Sequence, residues 1–204
     1  MNLHQKILGH PFVYDKVRPW VVGGIDMGPV YGRLEVTPDD VVLDLGCGTG
    51  VALEYLSGFA GYLGIDTDPV AIGAAEQRHR GRSNVRFLTK LCTKDDIVEL
   101  SPTVVVMAGL LHHLPDDAAV ELLQLAASGP RVRRIVTQDI VYLDGWEHLV
   151  SNGFAALDRG RFCRRQEGYR GLVERAGLRL VTDGLIWSHP KSRRTRYFVM
   201  TLLS

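Results

Sequence analysis

The stretch Val41-Val42-Leu43-Asp44-Leu45-Gly46-Cys47-Gly48-Thr49-Gly50 decides the fold. Its first five residues read as a β-strand, rich in aliphatic and β-branched side chains. Glycines at 46, 48 and 50 then let the chain turn sharply from strand to helix and let its backbone approach a ligand closely. Such a loop sits at the C-terminal end of a parallel strand, where open α/β sheets bind ligands. Residues 51–57 read as a helix and 62–65 as a second strand. Asp66 follows directly, twenty positions after Gly46. A carboxylate there can accept both ribose hydroxyls of an adenosine-containing cofactor.

Working outward, residues 69–80 read as a helix opened by Pro69, whose fixed φ suits a first helical turn. Residues 84–88 are a third strand. Thr103-Val104-Val105-Val106-Met107 is a fourth, buried on both faces by its unbroken β-branched content. Pro115-Asp116-Asp117 opens an amphipathic helix to about residue 127, with acids placed favourably in its first turn. Residues 134–137 form a fifth strand. Residues 144–177 are helical but broken by several glycines. Strands at 178–187 and 195–202 flank turn residues and pair as an antiparallel hairpin. The order predicts an α/β fold with a doubly wound, mostly parallel sheet. Residues 1–40 are expected to be a helical extension acting as a lid. Residues 41–204 are one domain with a helical insertion at about 144–177.

Composition bounds the class without naming the chemistry. The 204 residues are 46% hydrophobic and 23% charged, with a net charge of +1. That balance leaves no electrostatic footprint for a nucleic-acid backbone. No apolar run approaches the ~20 residues of a membrane-spanning helix, so no membrane insertion is expected. Three widely spaced cysteines, Cys47, Cys92 and Cys163, lack CxxC spacing and read as reduced thiols of a cytoplasmic protein.

The loop architecture also suits NAD, so spacing must decide. The dinucleotide pattern places glycine or alanine three positions after its second glycine. From Gly48 that position is Val51, and the glycine falls at Gly50 instead. Asp44 to Gly50 resembles the first motif of class I S-adenosylmethionine-dependent methyltransferases, and Gly64-Ile65-Asp66 resembles their second. Leu110-Leu111-His112-His113-Leu114-Pro115-Asp116 is similar to the segment after the fourth strand in that family's small-molecule branch. The resemblance spans about residues 40–140. It implies a three-layered fold with a seven-stranded sheet whose last strand is antiparallel, and S-adenosyl-L-methionine bound above the first two strands. It also implies that Asp66, with Thr67 beside it, holds the ribose, and that Asp44 positions the methionine end. Gly46, Gly48, Gly50 and Gly109 would line the cofactor's cleft. One departure stands out: where the family often has an acid beside the adenine, this chain has Leu91. The backbone of Leu91 and Cys92, or the side chains of Asp95 or Asp96, are left to serve that ring.

Methyl transfer from a sulfonium is an in-line displacement that needs positioning, desolvation and, for a protonated acceptor, a base. Histidine suits the last role because its pKa lies near neutrality. Neighbours in a turn point differently, so one of His112 and His113 faces the pocket. The family pattern favours His113 as base; the other reading is that it orders the loop by hydrogen bonding. His112, Asp139, Tyr142 and, from the extension, Tyr14 are expected around the acceptor. Arg159, Arg161, Arg164 and Arg165 form one basic cluster, and Lys191, Arg193, Arg194 and Arg196 another; each pairs with an anionic group or makes a solvated face. The histidine pair lacks zinc-ligand spacing, so no metal is expected. Ala108-Gly109-Leu110-Leu111 replaces the Asn/Asp-Pro-Pro-aromatic run of RNA and DNA amino methylases. The expectation is methylation of an oxygen or nitrogen atom of a small molecule by a monomer or homodimer. A peptide or protein acceptor, or a catalytically silent cofactor-binding protein, are the alternatives.

Overall fold

The computed structural model describes residues 26–157, 161–191 and 195–203, without the side chains of residues 154 and 157. Parallel strands β1 (Val41–Leu45), β2 (Gly61–Asp66), β3 (Val85–Thr89), β4 (Val104–Ala108) and β5 (Arg134–Ile140) form most of the sheet. After β6 (Arg179–Trp187), strand β7 (Arg196–Leu203) returns antiparallel to both β5 and β6. The order is β3-β2-β1-β4-β5-β7-β6. The helices are α1 (Gly28–Tyr31), α2 (Pro69–Arg78), α3 (Lys94–Leu100), α4 (Asp116–Ala127), α5 (Leu149–Leu157) and α6 (Gln166–Arg175).

Strand alternation sorts the core into two layers. Leu43, Leu45, Val105, Met107 and Ile135 face Ile97 of α3, Leu123 of α4 and Leu172 of α6. Val42, Val104, Val106 and Val136 face Val30 of α1, Leu34, and Ile72 and Ala75 of α2. Both faces are covered, and that is why β4 reads as an unbroken apolar run. The doubly wound sheet with an antiparallel last strand is the architecture expected.

Three elements depart from the sequence pattern. Residues 51–57 make only a 3₁₀ turn, Val51–Glu54, because Leu56 and Phe59 leave the helical path to bury beside Tyr62. Strand β5 continues three residues beyond Thr137, since Gln138, Asp139 and Ile140 pair with β7 and are buried, the first two despite their polarity. Helix α3 has no counterpart in the expected elements. A capping box starts it, with Thr93 and Asp96 bonded reciprocally. Of the N-terminal extension, residues 26–40 pack into the core through Val30, Tyr31 and Leu34. Tyr14 and the rest of residues 1–25 lie outside the described residues.

The edge opposite the strand C-termini is closed by Asp40. Its carboxylate accepts hydrogen bonds from Thr37 N (2.7 Å), Thr37 Oγ1 (2.8 Å), Thr103 Oγ1 (2.5 Å) and Arg133 Nη2 (2.6 Å). Burial alone would raise its pKa, but the bonds from Arg133, Thr103 and Thr37 outweigh it and hold the carboxyl well below the usual range. An acid whose pKa is depressed by folding stabilises above its unfolded value and loses that contribution as pH falls. Asp40→Asn should therefore cost about 2–4 kcal/mol in urea unfolding at neutral pH. The deficit should shrink as pH is lowered below about 4.

Candidate active site

The sheet reverses direction of winding between β1 and β4, which opens a crevice at their C-terminal ends. The glycine loop enters it directly from β1. Gly46, Gly48 and Gly50 all take left-handed conformations, with φ of 72°, 52° and 73°. The loop is fixed to the end of β2. Ile65 O accepts from Gly46 N (2.8 Å) and Cys47 N (3.2 Å). Asp66 Oδ2 accepts from Gly48 N (2.9 Å), and its Oδ1 accepts from Asp68 N (2.9 Å). Asp66 stays half-buried and Thr67 beside it is exposed, so both border the crevice. A Cβ added at Gly48 would meet nothing within 4 Å, so the loop faces open space there. A bent backbone opening onto room, with a carboxylate beside it, fits the ribose and the methionine end of an S-adenosyl cofactor.

Beneath the loop lies Asp44, 2% exposed, whose Oδ2 accepts from Tyr62 Oη at 2.6 Å. Burial, with the charge of Asp66 nearby, pushes its pKa up to about 7 even though the Tyr62 bond pulls it down. Sequence reasoning singled out Asp44 and missed Tyr62. The only hint is that Tyr62 stands one strand away in register with Val42, on the same face as Asp44.

Across the crevice, the turn after β4 carries both histidines in a 3₁₀ segment, Leu111–His113. His112 is fully buried. Its backbone N–H (3.0 Å) and ring Nδ1 (2.7 Å) both meet Asp139 Oδ1 at the end of β5. With Asp139 ionised, Nδ1 carries the proton in that contact, because a carboxylate only accepts. Burial lifts the Asp139 pKa against the bonds from His112. His113 is exposed, its ring 4.2 Å from that of His112. Asp139, expected at the tail of the fifth strand, lies within β5, and both it and His112 are buried.

Gly109, with φ of 75°, lines the β4 end, and its N–H reaches Gln138 O at 2.6 Å. Tyr142 packs, half-buried, with Ile140, Ala155 and Tyr197. Leu91 and Cys92 follow β3 at the far side of β2, and Leu91 is 75% exposed. Asp96 is bonded to Thr93 in the α3 cap and to Lys90 (2.9 Å). Asp95 is exposed in the first turn of the same helix.

The two basic clusters are not uniform. Arg164 is almost enclosed and donates to Leu111 O (2.9 Å), Leu114 O (2.7 Å) and Asp116 Oδ1 (2.7 Å), so it clasps the histidine turn. Phe162 N adds a bond to His112 O at 3.0 Å. Arg165 meets Asp144, and Arg196 lies over the Trp187 ring at 4.0 Å. Arg159, Arg193 and Arg194 fall outside the described residues. Among the described residues no helix is long and apolar enough to cross a membrane, and no group of His, Cys, Asp and Glu has the makings of a metal site.

Residues 42–129 match the family model of a methyltransferase domain. Similar solved structures agree. A chain from the complex of the Haloferax volcanii Trm112 methyltransferase activator with its candidate methyltransferase is 18% identical, with a TM-score of 0.67 over 86% of this chain and 87% of that one. Magnesium protoporphyrin IX methyltransferase from Synechocystis PCC 6803, solved with bound SAH, is 21% identical with a TM-score of 0.58, covering 100% and 87%. The mitomycin 7-O-methyltransferase MmcR is 19% identical with a TM-score of 0.61, covering 87% and 54%. Among curated protein sequences none matches at a significant level. The methyltransferase-domain match over residues 42–129 and the strand order together give this chain the Rossmann-like fold of class I methyltransferases.

The raised pKa of Asp44 has a stability consequence. A folded acid whose pKa exceeds its unfolded value stabilises fully below the unfolded value, and that contribution is lost as pH rises to the folded one. Wild type should lose stability from this source between about pH 4 and 7. Asp44→Asn should lack that slope, so its stability relative to wild type should rise across the same window in urea titrations.

Proposed function

We propose that this protein transfers a methyl group from S-adenosylmethionine to an oxygen or nitrogen atom of a small-molecule acceptor. The observation that carries the proposal is the glycine loop, bonded to Ile65 and Asp66 and opening onto the crevice opposite the histidine turn. The cofactor supplies an electrophilic methyl on a sulfonium. The chain's own residues bind and orient it: Asp66 and Thr67 at the ribose, the loop backbone and Asp44 at the methionine end, and the backbone of Leu91 and Cys92 at the adenine. The acceptor enters between the C-terminal ends of β4 and β5; residues 1–25 of the lid expected of the N-terminal extension, Tyr14 included, lie outside the described residues.

His113 takes the acceptor's proton. Its neighbour His112 is anchored by Asp139, and the shared turn is clasped by Arg164. These contacts hold the turn while leaving His113 exposed. A small-molecule acceptor is favoured by Ala108-Gly109-Leu110-Leu111 after β4, which lacks the proline-aromatic run of base-methylating enzymes. The names of two structural neighbours, acting on magnesium protoporphyrin IX and on mitomycin, point the same way.

Calorimetry should show binding of S-adenosylmethionine and of its demethylated product, and none of NADH. Asp66→Ala should weaken that binding by about 1.5–3 kcal/mol, as for hydrogen bonds to a charged group. A loss of only a few tenths would place the ribose elsewhere. His113→Ala should lower turnover on the true acceptor roughly 10²–10⁴-fold at unchanged cofactor affinity, and abolish a rate limb rising through neutral pH. Parallel losses of affinity and turnover would make His113 a loop-ordering residue instead. Cofactor binding without turnover across a metabolite panel would favour a silent binding protein.

A further inference from the structure

We propose that Arg78 and His79, at the C-terminal end of α2, form a latch that holds the second half of the glycine loop in its cofactor-binding shape. The inference rests on the cofactor reading above and adds two positioning residues to it. The contacts from Ile65 and Asp66 fix Gly46 to Gly48. The following residues are gripped from a different element. Arg78 Nη1 donates to Thr49 O (3.3 Å) and to Thr49 Oγ1 (3.2 Å). The same nitrogen lies 3.5 Å from Glu54, so the guanidinium bridges the loop to the 3₁₀ turn. His79 Nε2 lies 2.9 Å from Gly50 O, and since a carbonyl only accepts, that nitrogen carries the proton. Burial lowers the His79 pKa, opposed by this bond, so the ring serves as a neutral donor.

Phe87 of β3 sets the angle of the latch. Its ring stacks on the His79 imidazole at 6.0 Å and 28°. A Cβ added at Gly50 would lie 3.0 Å from Phe87 Cζ and 3.1 Å from both Cδ2 and Nε2 of His79. Any side chain there would push the imidazole off the carbonyl it holds. The loop thus needs glycine at 48 and at 50 for opposite reasons. Gly48 faces the open space of the crevice, and Gly50 is where a neighbouring ring seats itself.

The test compares His79→Ala, His79→Gln and Arg78→Ala with wild type. Both side chains lie at the surface end of α2, Arg78 exposed and His79 half-buried. In calorimetry with S-adenosylhomocysteine, His79→Ala should bind about 5–10-fold more weakly, the loss expected for one neutral hydrogen bond. His79→Gln should recover most of the affinity, because its amide nitrogen reaches the same carbonyl; a merely space-filling role would not be rescued this way. Native-state hydrogen exchange without ligand gives a second readout. In His79→Ala the amides of Gly50 and Leu53, bonded within the loop and turn, should exchange faster while those of β1 and β4 do not change. Wild-type affinity in His79→Ala overturns the latch. Should that variant fail to fold, wild-type affinity in Arg78→Ala overturns it. If wild type itself fails to bind S-adenosylhomocysteine, the cofactor reading falls, and unchanged exchange at Gly50 and Leu53 then overturns the latch on its own.

Discussion

The end of β2 is the constraint on which the rest of the molecule's chemistry depends. One carbonyl, Ile65 O, and one carboxylate, Asp66, together hold three successive loop amides. Left-handed glycines lose more conformational freedom on ordering than any other residue, so such a loop is costly to hold without anchors. The parallel register of Leu45 with Ile65 delivers those anchors to it. The same register puts Asp44 in a dry layer directly below, where the Tyr62 hydroxyl compensates its burial.

Much of this was legible in residues 41–66. Strand, glycine turn, strand and terminal acid follow one another there, with Gly50 rather than residue 51 as the third glycine, and β1 begins and ends where the pattern places it. The turn after β4 was legible as a site, but the division of labour between its histidines was not. No periodicity tells which of two adjacent residues in a 3₁₀ turn points inward; that depends on Asp139, 27 positions away. Nor does an arginine cluster announce that Arg164 is enclosed while Arg161 is exposed. Helix α3 is different. Thr93-Lys94-Asp95-Asp96 is a recognisable capping box variant, and its signal was present but overshadowed by the short apolar run behind it.

The polar end of β5 shows where local pattern gives way to tertiary context. Thr137, Gln138 and Asp139 are all buried, at positions where alternation alone would end the strand. They are carried into the interior because β7 pairs with all three on one side, β4 pairs with Thr137 and Gln138 on the other, and the histidine turn bonds to Asp139. Buried polar groups of this kind require partners, and Asp139 finds them in both the backbone and the ring of His112. The turn is held by what lies beneath it and, through Arg164, by what lies above.

Strand β7 follows β6 in the chain yet lies between β6 and the rest of the sheet. The two outermost ladders therefore cannot form in chain order. While residues 196–203 are missing, as they are on the ribosome after 179–187 have emerged, β6 has no strand to join and β5 keeps an open edge of unpaired amides. Closing that gap requires contacts such as Ile135 with Leu202 and Arg179 with Leu203, which span long and short stretches of chain at once. During synthesis at ~5–20 residues per second, the nascent protein passes through an interval in which its core strand β5 is sticky and unguarded. The order of strands on paper is thus also a schedule, with exposure to misassembly greatest just before the last ladder locks.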